Sequence, residues 1–142
     1  MVDYPGAGGW SALTFAAERQ FTTIARNLVA AGADPNWRGW DKNTPLMWAA
    51  SRGDYEIVEL LLSKGAKASL HNKEGSTSAD LVKKEMEEVH RYGLTPEEQQ
   101  MFLDSYGALE NRLRTLEKAE LAEAKSNAHA KKSSNDDDNA SA

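Results

Sequence analysis

The chain has 142 residues, no cysteine, 40% apolar side chains and a formal charge of −5. That length holds one domain, and the absence of cysteine excludes a disulfide framework, thiol catalysis and thiolate metal sites while suiting a reducing compartment. Charge is uneven, with 11 basic and 12 acidic residues over 1–93 against 6 and 10 over 94–142; a near-neutral body without a basic patch argues against nucleic acid, whose phosphates are held by clustered Lys and Arg. The opening Met1-Val2-Asp3-Tyr4-Pro5-Gly6 carries no secretory or transit pattern, and runs such as Leu60-Leu61-Leu62 are far too short to span a bilayer. The expectation is a soluble cytoplasmic or nuclear protein that engages no membrane.

Residues 9–36 divide into two short helices with a turn near Arg19 to Phe21, the second stopping at Gly32, where a left-handed cap costs least in glycine. Asp34-Pro35-Asn36 then breaks the pattern, and the chain must extend and turn through Trp37 to Asn43. Residues 44–67 repeat this plan with sharper signals. Thr44 caps, Pro45 takes the first helical position, Gly53 stops the helix, and Asp54 caps the next, whose apolar face is Ile57, Val58, Leu60, Leu61 and Leu62. Ser11, Thr44 and Thr77 are 33 residues apart, as are Phe15, Trp48 and Leu81, and Gly32-Ala33-Asp34 returns as Gly65-Ala66-Lys67. Such a period means stacked helix-turn-helix units, each too short to be stable alone.

A third unit begins at Asn72-Lys73-Glu74-Gly75-Ser76-Thr77, but no glycine interrupts it. Ala79, Val82, Met86 and Val89 predict one longer helix to about Arg91, ended by Gly93, and this half repeat closes a domain over 1–93. Thr95-Pro96-Glu97-Glu98 starts another helix with a capping box, amphipathic over 94–125. Its apolar residues Phe102, Tyr106, Leu109, Leu113 and Leu116 alternate by four and three. Two readings stand for that stripe: it packs on the end of the stack, or it is a seam for a partner helix or a second copy. Residues 126–142, almost without apolar side chains, are expected to be disordered.

Residues 42–69 carry Thr44-Pro45-Leu46, Ala49-Ala50, Gly53, Ile57-Val58, Leu61-Leu62 and Gly65-Ala66, and at this spacing they are similar to the ankyrin repeat family, over roughly residues 9–93. The resemblance implies an all-α solenoid of about two and a half repeats, L-shaped in section, with hairpin fingers on one side. It implies a non-enzymatic module, without cofactor or metal, that binds another protein or a peptide through the fingers and the concave helix face. The alternative is a structural subunit whose helix 95–125 pairs with another helix or its own copy; otherwise a monomer is expected. The family's histidine is Thr14, Met47 and Asp80 here, so its bond to the Ser or Thr at the helix start is expected to be missing, with Asp80 a partial replacement. Lys42 stands where the turn needs positive φ, a place filled by Gly9 and Gly75 in the flanking units. Two and a half repeats is near the lower limit of a stable stack, which suggests a piece of a longer protein whose upstream repeat covered Leu13 and Ile24. Asn27, in the place of Leu60, argues for a true N-terminal cap instead.

The family's contact positions fall on Trp40, Asp41 and Asn43 in the middle finger, on Ser51 and Arg52 after its first helix, and on Trp10, Glu18, Arg19, Lys73 and Glu74 in the outer units. Trp40 is matched by Ala7 and Lys73, and Trp10 by Asn43 and Ser76, so the repeat demands no aromatic at either place. Each reads as an anchor for a partner, and Trp40 equally as packing on Trp37 or a neighbouring finger. Trp48 and Trp37, matched by apolar residues, read as packing, and Arg38 is placed to stack on a tryptophan ring. Catalysis finds little support: His71, His90 and His129 have no metal-ligand spacing, and Gly6-Ala7-Gly8-Gly9 lacks the strand and the Lys-Ser or Lys-Thr of a phosphate loop.

Overall fold

In the computed structural model the backbone is described over residues 3–140 and the side chains over 3–129. Six helices follow one another: α1 (Ala12–Arg19), α2 (Thr22–Ala30), α3 (Pro45–Ser51), α4 (Tyr55–Ser63), α5 (Ser78–Glu87) and α6 (Pro96–Ala140), with single 3-10 turns at Ala7–Gly9 and Val89–Tyr92. There is no strand among the described residues. The first helices α1, α3 and α5 form one row, and α2 and α4 form a second behind it. Small residues let the rows close up: Ala16, Ala17, Ala25, Ala49, Ala50 and Ala79 are buried beside Leu13, Leu46, Ile57, Val58, Leu61 and Val82.

Each first helix is capped alike. Ser11, Thr44 and Thr77 accept from the amides of Thr14, Met47 and Asp80. The return contact, expected to be missing in two units, is made in all three by different chemistry. Thr14 Oγ1 lies 3.1 Å from Ser11 Oγ, Met47 Sδ accepts from the Thr44 amide at 3.4 Å, and Asp80 Oδ2 accepts from the Thr77 amide at 3.0 Å. The third helical residue always points back at the cap, so any acceptor there serves.

The fingers also repeat bond for bond. Gly6 N donates to Trp10 O, Gly39 N to Asn43 O and Asn72 N to Ser76 O, closing one hairpin per unit. Between fingers, Trp40 N donates to Gly8 O at 3.0 Å, and Lys73 N to Asp41 O at 2.8 Å one repeat later. Lys42 adopts φ 62° as its position requires, beside Gly9 at 73° and Gly75 at 81°. The turn between helices needs the same conformation; Gly53 supplies it in the middle unit, and Gln20, with φ 61°, in the first.

The third unit differs from expectation. α5 ends at Glu87 and the chain continues as a 3-10 turn to Tyr92 rather than as one helix to Arg91, with Gly93 left-handed at φ 64°. The chain must turn back here to bring α6 against α5. The cap of α6 is as predicted, with the Thr95 amide donating to Glu98 Oε2 and the Glu98 amide to Thr95 Oγ1. α6 packs along α5 and takes the place of the missing second helix, with Leu109 and Leu113 fully buried. Arg112 bonds Glu59 on α4, the Tyr55 hydroxyl donates to the Ser105 carbonyl, and Glu120 accepts from the amides of Ala68 and Ser69 at the base of the third finger. Over residues 126–140, where disorder was expected, the described backbone continues α6; residues 141–142 of that tail lie outside the described residues. No helix among the described residues is long and apolar enough to cross a membrane.

Candidate functional site

The inner side of the stack, where fingers meet first helices, holds two connected notches that share Ser51 and Glu85. The upper notch, about 410 Å³, lies under the second and third fingers and is walled by Asn43, Asn72 and Glu74 above and by Met47, Trp48, Leu81 and Lys84 along the helices. The lower notch, about 610 Å³, lies at the ends of the first helices between Glu18, Arg19, Gln20 and Arg52 on one side and Tyr92, Leu94, Phe102 and Tyr106 on the other.

The lower notch owes its shape to α6. Phe102 and Tyr106 stack with centroids 4.0 Å apart, and Tyr92 lies 5.8 Å from Phe102. Tyr106 covers the turn at Gly53 so closely that a Cβ there would stand 2.6 Å from its hydroxyl oxygen. Burial raises the Tyr106 phenol above its usual range. The Tyr92 hydroxyl donates to Glu85, and that bond to a carboxylate pushes the phenol up to about 12. On the opposite wall Glu18, 15% exposed, sits between Arg19 at 2.8 Å and Arg52 at 2.7 Å. Its charge is satisfied internally, while both guanidinium groups remain half open to solvent.

Beneath the third finger Arg114 bridges Glu110 at 3.0 Å and Asp80 at 3.1 Å. Burial alone would raise the Asp80 carboxyl, but the Thr77 amide, Arg114 and the Thr77 hydroxyl together hold it below its usual value. These contacts tie the α5 cap to α6, so the groove and its closing helix form one body.

Of the residues carried over from the repeat pattern, Asn43, Ser51 and Glu74 line the upper notch and Glu18, Arg19, Ser51 and Arg52 the lower one. Trp10, Trp40, Asp41 and Lys73 line neither. Asp41 and Asn43 are engaged within the stack: Asp41 accepts from the amide and side chain of Asn43, whose own oxygen accepts from Asn72. Trp10 is half-buried, 4.9 Å from Trp48 and 5.3 Å from Phe15 between centroids, with its edge on Gly39. Its first duty is structural, because Trp10 on Gly39 and Trp40 on Gly9 clasp the first two fingers, and the Trp37 indole N–H donates to the Gly9 carbonyl at 2.8 Å. Trp40 gives only an edge to that clasp and keeps 77% of its surface exposed. Arg38 stacks on neither ring; it donates to the His71 carbonyl of the next finger. The stripe on α6 is occupied by the stack, with Leu109 and Leu113 buried, Leu116 and Tyr106 packed on the same core, and Phe102 stacked on Tyr106.

Lys84 and Glu85 were missed although the period reaches them, since Ser51 and Arg52 lie 33 residues earlier. The absent glycine in the third unit hid the correspondence. Tyr92 had no such signal, because it reaches the groove only through the turn that leads into α6.

A row of paired helices with projecting fingers and a grooved inner face defines a repeat solenoid. The sequence comparisons make the class specific: residues 2–72, half of the chain, match the model for ankyrin repeats in three copies. The chain belongs to the ankyrin repeat family. It is 40% identical over 74 residues to a putative ankyrin repeat-containing protein of Treponema pallidum (strain Nichols), covering 52% of this chain and 25% of that protein. It is 41% identical over 64 residues to ankyrin repeat and SOCS box protein 16 of Mus musculus (45% and 14%), and 39% identical over 74 residues to the inactive serine/threonine-protein kinase TEX14 of Bos taurus (52% and 5%). The chain thus spans a quarter or less of the length of these relatives. Ankyrin repeats are in general protein–protein interaction modules and typically non-catalytic.

Proposed function

We propose that this chain is a non-catalytic binding module that holds a segment of another protein in the groove formed by the two notches, with Trp40 as an outlying anchor. The observation that carries this reading is the continuity of the groove: residues from all three units and from α6 line one channel, which a single extended segment can follow from the third finger to Tyr92. Its lining includes Trp48, Tyr92, Phe102 and Tyr106, and the cations Arg19, Arg52, Lys84 and Arg91 stand on it among the carboxylates Glu18, Glu74, Glu85 and Glu88. Aromatic and arginine side chains in such settings dominate binding energy at interfaces. The stack holds them in place beforehand, so little of the ordering cost of binding falls on this chain. The alternative, pairing through the α6 stripe, would first have to expose Leu109 and Leu113, and nothing in the packing favours it.

Affinity capture with the intact protein followed by mass spectrometry tests the reading, with a groove variant, Arg52→Glu with Lys84→Glu, and a finger variant, Trp40→Ala, run alongside. A partner whose recovery falls at least about tenfold with the groove variant, a loss of about 1.4 kcal/mol, while helical circular dichroism is unchanged, is the expected result. Equal recovery by wild type and both variants would sink it.

A further inference from the structure

The two walls of the lower notch differ in chemistry, and stacking of the repeats asks for neither. Arg19, Arg52 and Glu85 follow one another at 33 residues and so share one place near the ends of the first helices. Two cations and a carboxylate at one position serve no common packing role. Glu18 lies between the cations, accepting from Arg19 Nε at 2.8 Å and from Arg52 Nη2 at 2.7 Å. Among the described residues no other carboxylate pairs with either guanidinium group, and each has more N–H donors than the one spent on Glu18.

One carboxylate shared by two guanidinium groups leaves a positive charge on this wall, in a chain whose formal charge is −5. The side chains of Arg19 and Arg52 are 62% and 48% exposed. Gln20 sets their spacing, because its side-chain amide donates to the Arg52 carbonyl at 3.1 Å and ties the end of α1 to that of α3. Glu85, the remaining carboxylate on the notch, accepts from the Tyr92 hydroxyl. The facing wall is Phe102 stacked on Tyr106, with Leu94 beside them.

We propose that the lower notch recognises an acid beside an aromatic or large apolar residue in the bound segment, the carboxylate on Arg19 and Arg52 and its neighbour on Phe102 and Tyr106. This rests on the groove reading above and specifies the segment that the groove takes. In an extended segment successive side chains point to opposite sides, so the two residues stand an odd number of positions apart, adjacent in the simplest case. The carboxylate gains charge-assisted hydrogen bonds from guanidinium forks that are already in place. A basic residue there would meet two like charges and be rejected. Because both arginines reach into water, binding weakens as salt rises.

Selection of a random-peptide phage library on the full chain tests this, followed by fluorescence anisotropy of an enriched peptide. Enriched sequences should pair Asp or Glu with an aromatic or large apolar residue at odd spacing. Replacing that acid by its amide should weaken binding at least about tenfold, equal to 1.4 kcal/mol. The loss should largely vanish against Arg19→Gln with Arg52→Gln, as coupled partners require. The peptide substitution leaves the protein untouched, so misfolding of a variant cannot produce the first loss. Peptides that lose binding to Arg52→Glu with Lys84→Glu, yet carry no acid at that spacing or bind equally well with its amide, overturn this inference and leave the groove reading standing. Peptides that bind that groove variant as tightly as wild type, or no enrichment at all, overturn both.

Discussion

At the C-terminal end of the stack α6 lies against α5 and leaves Leu109 and Leu113 with no exposed surface, whereas at the N-terminal end Phe21 and Ile24 keep half of theirs. A repeat unit has two apolar flanks and can bury them only on neighbours, so whatever ends the array must supply a substitute surface. The chain supplies one at one end only. That substitute is a helix outside the repeat pattern, and because α6 also builds the aromatic wall of the groove, closing the stack and shaping the site are one event.

The largest expected effect breaks the comparison directly. Leu113→Ala should cost about 2–5 kcal/mol, as buried leucine truncations do, while Ile24→Ala should cost about 1 kcal/mol or less because half of that side chain is already in water. Urea midpoints for the two variants measure it, and equal losses would mean that the open end is covered in solution. A second substitution probes how α6 is coupled to the middle unit. Gly53→Ala should cost more than the ~1 kcal/mol that left-handed backbone alone imposes, since its Cβ would run into Tyr106. The excess should disappear in a Tyr106→Ala background when the double-mutant cycle is closed; Gln20, left-handed in the first unit, shows that the backbone shape itself is tolerated.

The smallest effect concerns acid. Asp80 titrates below its usual value of 3.8, so its ionised form favours the folded chain. That contribution is complete above 3.8 and is lost as pH falls through the lower folded value. With Arg114 and Asp80 33% and 40% exposed, solvent screening keeps the gain small. Asp80→Asn should therefore lower the urea midpoint slightly at neutral pH, with the difference from wild type shrinking as the pH is taken progressively below 3.8.

Much of this was legible in the chain itself. Thr44, Pro45, Gly53, Asp54 and Gly65 act within a few residues of where they stand, so caps, turns and the period could be read from them, and Lys42 takes the positive φ its place in the period requires. The contact residues were legible only in part. Ser51, Arg52, Glu18 and Arg19 come together at the groove, and Asn43 reaches it while bonded into the finger ladder, but Asp41 is held in that ladder and Trp10 packs on Phe15 and Trp48. A variable position in a repeat is free of one structural duty, and the sequence does not show that a neighbouring finger gives it another.

By itself, then, the sequence determined the helix pairs, their caps, the fingers and the register in which the units follow one another, because these depend on backbone preferences and on a 33-residue period. Only the tertiary structure decided what covers each flank. The stripe on α6 shows that one face is apolar without saying whether α5, a partner or a second copy meets it, and burial of Leu109 and Leu113 answers that question. The notch of Tyr92, Phe102 and Tyr106 facing Arg19 and Arg52 likewise joins residues far apart in the chain, and no local preference encodes such a meeting.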